Sequence, residues 1–306
     1  MAHFTLKQFE IFIAVANYLS ISGAARSLHL SQPAVSQQIH KIEAHSERTL
    51  FEHVGKKIHL TEEGRLLLQY AKNVIEQAEL FKEACFSKNN VIKGTFKVGV
   101  GIPLQAMFFN ALAKFIHQYS SANFEFLDGD RPTQLNYLNE NKIDFCLVVH
   151  PVNSSKFISE MIIELPMTFI MSPKNHLTNT KNITSQTLLE ETFIRCDEDS
   201  ANYYQFNELL KRTNNKSPNI IQINDQNAIK QAVMANLGIS VLPKYMLQLE
   251  FKHNVLMPLL VNDFTNFSTA AFWVQRADKK LSPLMQSFKT FLFNEFRQAN
   301  EILLPI

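Results

Sequence analysis

The residues best suited to recognise another molecule lie in the stretch 31–41, where small and polar side chains recur at helical spacing. Val35, Ile39 and Ile42 follow the i, i+4, i+7 rule and are expected to point inward. The remaining faces carry amide, hydroxyl, small apolar and cationic groups, from Ser31, Gln32, Pro33, Ala34, Ser36, Gln37 and Lys41. Glutamine can pair with adenine, an alanine methyl can touch thymine, and lysine can neutralise a phosphate. The pattern therefore favours contact with double-stranded DNA.

Two short helices joined by a tight turn are expected to position that face. Ser22 is the predicted cap of the first helix, in which Ala24 and Ala25 are small enough to let another helix approach closely. Ser31 is the predicted N-cap of the second helix, with Pro33 in its first turn, where a missing N–H costs nothing. This is a helix-turn-helix arrangement with the second helix in the major groove. The alternative is a polar helix pair whose exposed side only faces water.

The flanking segments predict a compact domain around this helix pair. Residues 5–18 are expected to form an amphipathic helix whose apolar face covers the inner side of the helix pair. Residues 50–54 and 58–60 read as a two-stranded wing around a Gly-Lys-Lys turn, in which Lys56 and Lys57 are expected to meet phosphates. A lysine pair at a turn can also simply be solvated.

A long helix follows, from Thr61 as its cap to about residue 87. Apolar residues repeat along it by four and three, which predicts a heptad seam that pairs with a second subunit. The predicted seam residues are Leu67, Ala71, Val74, Ala78 and Phe81, with Cys85 at its end. The alternative is that this stripe packs against its own chain.

The order Ala-Ala-x-x-Leu-x-Leu-Ser-Gln-Pro-Ala-Val-Ser-x-x-Ile-x-x-Ile-Glu over 24–43 resembles the N-terminal signature of LysR-type transcriptional regulators. The stretches 50–52, 55–57 and 60–64 look like the wing and linker entry of that family. Two positions depart from it: Ser46-Glu47 replaces the usual Leu-Gly, and His53 replaces an arginine. The segment 50–61 is similar to the branch that controls RuBisCO operons.

From about residue 92 the pattern changes to alternating strands and helices, which is typical of parallel sheets with covering helices. Predicted strands are 96–100, 124–127, 145–149, 161–171, 193–195, 220–223, 240–241 and 270–274. Predicted helices are 104–119, 133–141, 203–212, 225–235 and a last helix with Leu284, Phe288, Phe291 and Phe296 on one face. The resemblance implies a two-lobed α/β effector domain similar to periplasmic solute-binding proteins.

These patterns predict three regions. Residues 1–61 form a winged helix-turn-helix domain, residues 62–91 a linker and dimerisation helix with a hinge, and residues 92–306 an effector-binding domain. Within the last region, we expect one lobe from 92–160 and 266–306 and the other from 161–265.

In open α/β lobes a ligand lies beyond the carboxyl ends of the strands, near helix N-termini. The predicted effector-binding residues are Gly101, Ile102, Pro103, Asp128, His150, Arg195, Asn224 and Asp225. A small anionic metabolite is the expected ligand. The resemblance would place a serine or threonine near 101–103, where this chain has Gly-Ile-Pro. Asp128 and Asp225 are alternatively helix caps.

Composition excludes several classes of protein. Aromatic residues make up 11% and charged residues 19% of the 306, as in a globular chain, and no apolar run predicts a membrane span. The N-terminus lacks a signal peptide, so we expect a cytoplasmic protein. The three cysteines are too far apart for a zinc site or disulfide framework, and no catalytic motif or phosphate-binding glycine loop occurs. We therefore predict no catalytic residues, no metal and no cofactor.

The sequence thus predicts a LysR-type regulator that binds promoter DNA as a homodimer or homotetramer and responds to a small effector. RNA polymerase is a candidate partner. The competing prediction is a solute-binding or enzymatic α/β domain whose N-terminal helices serve assembly.

Overall fold

The computed structural model describes residues 4–54, 57–86, 94–119, 122–198, 200–214, 216–265 and 267–303. The chain divides into two compact units, Met1–Lys93 and Gly94–Ile306. The helices of the first unit are α1 Leu6–Tyr18, α2 Ile21–Ser27, α3 Gln32–Ser46 and α4 Glu62–Phe86, and its strands are β1 Phe51–Val54 and β2 Lys57–Leu60. Along the described residues, no helix is both long and apolar enough to cross a membrane.

In the first unit, helices α1, α2 and α3 enclose an apolar core. Ile11, Phe12 and Val15 of α1 are buried there with Ala24 and Ala25 of α2, whose small side chains permit close packing. The predicted cap of α2 was wrong by two residues: Ser20 Oγ accepts the Gly23 N–H at 3.1 Å. Ser22 lies inside the helix, with its Oγ 3.0 Å from that of Ser20. The first of the two serines therefore supplies the cap.

The wing is an antiparallel pair in which Phe51 lies opposite Leu60 and Val54 opposite Lys57. Thr61 caps α4, as predicted, because its Oγ1 accepts the Gly64 N–H at 2.9 Å. A Cβ at Gly64 would lie 2.2 Å from the Leu50 carbonyl oxygen. Only glycine lets α4 begin this close to the wing.

In the second unit, the described strands form a seven-stranded sheet, whose two parts share one long strand, and a separate parallel pair. Its strands are β3 Gly94–Val100, β4 Ala122–Phe126, β5 Phe145–Val149, β6 Phe157–Met171, β7 Thr192–Arg195, β8 Asn219–Gln222, β9 Ser240–Pro243, β10 Met257–Leu259 and β11 Ser268–Arg276. Its α-helices are α5 Gln105–Gln118, α6 Arg131–Asn139, α7 Ser185–Leu188, α8 Ala201–Arg212, α9 Gln226–Met234, α10 Gln248–Lys252 and α11 Pro283–Leu303. Short 3-10 turns cover Ile102–Leu104, His176–Asn179 and Lys244–Leu247.

Strand β6 links the two halves of this unit. Its first part pairs with β11 up to Pro166, in a sheet that continues through β5, β3 and β4. Its last part, from Met167 to Met171, pairs with β9 and β10. The strand begins four residues before the predicted 161 because β11 partners it back to Phe157. The predicted limits of the two lobes stay a prediction. Strand β6 runs across the lobe boundary that was predicted between residues 160 and 161.

The last helix, α11, packs on the seven-stranded sheet of this unit through an aromatic cluster, as its apolar face predicted. Phe288 is fully buried, with ring centroids 4.9 Å from Phe96 and 5.0 Å from Phe115. Phe145 stacks on Trp273 at 3.7 Å. This packing joins the C-terminal helix to strands that are distant in sequence.

Candidate functional site

Helix α3 presents the predicted polar face to solvent because its apolar residues are buried in the first unit. Val35, Ile39 and Ile42 are buried, and Ser31 Oγ accepts the Ala34 N–H at 3.3 Å as the N-cap. The exposed side chains on this helix and its cap include Ser31, Gln32, Pro33, Gln37 and Lys41, while Ala34 and Ser36 are half-buried.

Contacts behind α3 fix its orientation. Gln8, buried on α1, donates from Nε2 to Gln38 Oε1 at 3.2 Å. The turn between α2 and α3 contains His29 with φ 55, in the left-handed region that non-glycine residues rarely adopt. The tight turn predicted at this position therefore forms without a glycine.

Glu43, at the end of α3, ties that helix to the wing. Its Oε1 accepts the Leu50 N–H at 2.8 Å and the Phe51 N–H at 3.3 Å. The chain leaves α3 through Glu47, which has φ 53 where the resembled family has glycine. A tight turn therefore precedes the wing in spite of the substitution.

Of the two wing lysines predicted to contact phosphates, one lies among the described residues. Lys57 begins β2 and is exposed, next to Val54 across the hairpin. Lys56 lies outside the described residues. His53, which replaces an arginine, is also exposed on β1.

The predicted dimerisation seam on α4 separates into two parts. Ala71 is 2% exposed and packs in the core of the first unit, so its assignment to a partner surface was wrong, while Leu67 packs against that core and is half-buried. The cause is that α1 packs along the first turns of α4. Further along, Val74 is 39% and Phe81 72% exposed, and Ala78 is half-buried. Cys85 is exposed, and the predicted hinge at 87–93 lies outside the described residues.

In the second unit, a cavity of about 580 Å³ lies where several strand-to-helix loops meet. Five predicted effector residues line it: Gly101, Ile102, Pro103, Asp128 and Asn224. The lining residues outside the predicted effector set include Asp130, Arg131, Gln134, Cys196, Asp197, Glu198, Ser200 and Gln226. All but Gln134 follow a strand or open a helix, so the rule that located the cavity could have found them.

Three predicted effector residues make other contacts and are not among the lining residues. Arg195 lies over the ring of Tyr203 at 4.9 Å, and its Nη2 donates to Gln222 Oε1 at 3.4 Å. The His150 ring lies 4.9 Å from that of Tyr204. Asp225 caps α9, accepting the Ala228 N–H at 2.7 Å. The position of a residue at a strand end does not determine the direction of its side chain, which accounts for these corrections.

The cavity wall is rich in carboxylates. Asp128, Asp130, Asp197 and Glu198 line it, and Arg131 is the one cationic side chain among the described lining residues. Hydrogen bonds from the Thr133 side chain and backbone lower the pKa of the Asp130 carboxyl. Asp130 is therefore a permanent negative charge at neutral pH.

A buried network positions the wall of the cavity around Cys196. Asn202 accepts the Cys196 N–H at 2.7 Å and donates to Ser240 Oγ at 3.0 Å and to the Val241 carbonyl at 2.8 Å. Burial raises the pKa of the Cys196 thiol, which disfavours the reactive thiolate form. Across the described ranges, no cluster of histidine, cysteine and acidic residues could hold a metal ion.

The contact between Glu43 and the wing can be measured directly. In Glu43→Ala the Leu50 and Phe51 amides lose their acceptor, so their hydrogen exchange should accelerate about tenfold, which corresponds to a hydrogen bond worth about 1.4 kcal/mol. Amide exchange followed by NMR or mass spectrometry is the readout. The control is Glu10→Ala, at an exposed residue that pairs with Lys7 on α1. Equal exchange in the two variants would show that Glu43 does not hold the wing.

Comparison with known proteins agrees with this architecture. Residues 6–65 match the family described as bacterial regulatory helix-turn-helix protein, lysR family, and residues 89–297 match the LysR substrate binding domain. A RuBisCO operon transcriptional regulator of Allochromatium vinosum is 29% identical over 293 residues, covering 96% of this chain and 97% of the relative. The predicted similarity to that branch is thereby confirmed.

Two solved structures share the fold. Full-length OxyR C199D from Pseudomonas aeruginosa aligns with a TM-score of 0.74 at 18% identity, covering 97% of this chain and 96% of that chain. The regulatory domain of CcmR from Synechocystis PCC6803, in complex with 2-PG, aligns with a TM-score of 0.60 at 22% identity and covers 66% of this chain and 97% of that one.

The predicted fold class is confirmed, and the matched families and the relative are those of transcriptional regulators and not of enzymes. With both of its units matched, and the second match alone spanning more than half of its length, the chain belongs to the LysR family of transcriptional regulators.

Proposed function

We propose that this regulator reads its operator through the exposed face of α3, with the wing on the adjacent backbone. The observation that carries this proposal is the burial of Val35, Ile39 and Ile42, which leaves the amide and hydroxyl groups of the opposite face accessible. Gln32, Ser36 and Gln37 would contact base edges, and Lys41 and Lys57 would contact phosphates. Such a helix fits the major groove of B-DNA.

Two copies of the chain would then contact two half-sites. The exposed apolar residues Val74 and Phe81 on α4 support pairing of this helix with a partner, because apolar side chains at heptad spacing gain burial only when another surface covers them. A two-fold dimer places its recognition helices in successive major grooves about one helical turn, or a multiple of it, apart. The operator is therefore a partial palindrome.

The cavity of the second unit is the proposed effector site. Its volume suits a small metabolite, and it lies beyond the strand ends, where open α/β domains bind ligands. An anion there would meet Arg131 but also four carboxylates. Effector binding shifts the regulator between states only if the ligand prefers one of them, so the contacts must differ between the two arrangements of the domain.

A DNA-bound regulator acts in the bacterial cytoplasm, where the chromosome is. RNA polymerase would be its partner there if the protein activates transcription.

Gel retardation tests the proposal against the competing class of solute-binding or enzymatic proteins. The full chain is mixed with DNA from upstream of its own gene, with unrelated DNA as competitor. A retarded band that survives competition supports specific recognition. Retardation that competitor removes completely, at every upstream fragment tried, would leave only an assembly role for the N-terminal helices.

Base discrimination should depend on the α3 face. Gln32→Ala or Ser36→Ala removes a hydrogen-bonding group, so preference at one operator position should relax by about 1–3 kcal/mol. Binding-site selection from a randomised pool measures the change. The matched control is Gln186→Ala in the second unit, which should leave the selected sequence unaltered. An unchanged preference in both α3 variants would place the recognition surface elsewhere.

The exposed lysines should contribute without regard to sequence. Lys41→Ala and Lys57→Ala should each weaken binding to all DNA sequences and reduce the slope of log affinity against log salt by about 0.9 per lost phosphate contact. Titrations at several salt concentrations give the slope. Lys211→Ala, at an exposed lysine of α8, is the control. A wild-type slope in a variant would exclude that lysine from the backbone contact.

Oligomerisation should depend on the exposed part of α4. Val74→Asp buries a charge in the proposed interface, which is costly without a partner, and should dissociate the oligomer. Light scattering at fixed protein concentration measures the mass. Gln77→Asp introduces the same charge at an exposed polar position of the helix and should preserve the oligomer. An intact oligomer in Val74→Asp would refute pairing through this stripe.

A further inference from the structure

We propose that the cavity selects an effector that donates hydrogen bonds, a small molecule bearing several hydroxyl or ammonium groups, and that Gln134 and Gln226 are its specificity-determining residues. This inference rests on the proposed role of the cavity as the effector site. Its basis is an excess of hydrogen-bond acceptors in the cavity wall, two of which are buried without a partner.

Gln134 provides the first of these acceptors. The residue lies on α6, is 0% exposed and lines the cavity. Its Nε2 donates to the Gly129 carbonyl at 2.9 Å, which assigns the other end of the amide as the oxygen. That Oε1 is buried and accepts no hydrogen bond. A Cβ at Gly99 would lie 3.1 Å from the Gln134 Cγ and Cδ atoms, so glycine in β3 leaves room for this buried amide.

Gln226 provides the second acceptor, from the first turn of α9. It is 5% exposed, lines the same cavity, and its Oε1 is also buried without a hydrogen-bond partner. Native proteins rarely leave buried carbonyl oxygens unpaired, because the group loses its water without a replacement. Two such oxygens in the wall of one cavity are best explained by a ligand that donates to both.

The charges around these amides favour the same class of ligand. The carboxylates of Asp128, Asp130, Asp197 and Glu198 accept hydrogen bonds and repel anions, and Arg131 offsets one of the four charges. The Nη2 atom of Arg131 also donates to the Pro151 carbonyl at 3.0 Å. The wall therefore offers many more acceptors than cationic donors.

Helix N-termini, the usual alternative donors for an anion, are already used in part. Asp130 accepts the Thr133 N–H at 2.9 Å, Ser200 accepts the Tyr203 N–H at 3.0 Å and Asp225 accepts the Ala228 N–H at 2.7 Å. These caps occupy N–H groups in the first turns of α6, α8 and α9. They reduce what an anionic ligand could gain at the positive ends of these helices.

A ligand panel with the full-length protein tests the inference. Thermal shift, followed by calorimetry on the compounds that stabilise, compares three sets of probes. These are neutral polyols such as ribitol and glucose, amines such as putrescine and spermidine, and anions without O–H or N–H donors at neutral pH, such as sulfate and oxalate. We expect stabilisation by members of the first or second set, and the set that binds distinguishes hydroxyl from ammonium donors.

Two variants tie binding to the amides. Gln226→Leu removes an acceptor for which no protein partner exists, so it should retain the melting temperature of the free protein while weakening the stabilising probe about tenfold. Gln134→Leu should weaken it by a similar factor, although this variant also loses the bond to Gly129. Gln231→Leu, at an exposed glutamine of α9, is the matched control and should bind as the unmodified protein does.

The outcomes separate this inference from the proposal on which it rests. If only sulfate or oxalate binds, the inference is overturned; the proposed effector site stands if Arg131→Ala, at the cationic residue of the cavity wall, weakens that binding, and fails if it does not. If a polyol or amine binds with equal affinity to the unmodified protein and to Gln226→Leu, the amides do not select it and the inference also fails. If no probe of any set binds, the inference is overturned together with the proposed role of the cavity.

Discussion

The proposed recognition of DNA depends on the anchoring of one helix, α3. Val35, Ile39 and Ile42 are buried in the first unit, and this burial determines which side chains of α3 remain outside. Fully burying an aliphatic side chain contributes about 1.5–3 kcal/mol, so rotating the helix to expose the three would cost more than the polar contacts on its other face could return. The accessible face is therefore a consequence of core packing.

Contacts at both ends of α3 keep that face in register with its surroundings. Ser31 caps the start of the helix, and Glu43 near its end accepts two backbone N–H groups at the entry to the wing. A single carboxylate thus links the helix proposed to read bases to the hairpin proposed to contact the backbone.

In the second unit, one long strand connects the two halves, since β6 pairs with β11 in one half and with β9 and β10 in the other. A strand common to both halves connects the two sides of the cavity wall.

Local rules predicted most elements, and tertiary packing decided where those rules failed. Capping and periodicity located α3 because both signals lie within the helix itself. The same rules chose Ser22 as the cap of α2, where Ser20 serves, because either serine suits the position locally. Strand β10 was missed because Pro258 interrupts its three residues, which form an edge strand where a missing N–H is tolerated.

The functional residues were predicted less completely than the elements. The heptad pattern on α4 could not distinguish a partner helix from α1, which covers Ala71. The loops around the cavity were located from strand ends, but the side-chain directions of Arg195 and His150 depend on the rings of Tyr203 and Tyr204. Gln134 was missed because an amide in a helix is expected to face water, and its burial depends on the glycine at position 99 of a distant strand.

Methylation protection of a bound operator tests most directly the claim that α3 occupies the major groove. Dimethyl sulfate modifies guanine N7 in the major groove and adenine N3 in the minor groove. With α3 in the major groove, the protein should protect guanines in two major-groove segments about one helical turn, or a multiple of it, apart. Protection confined to adenine N3, or specific binding that leaves every guanine N7 reactive, would contradict it.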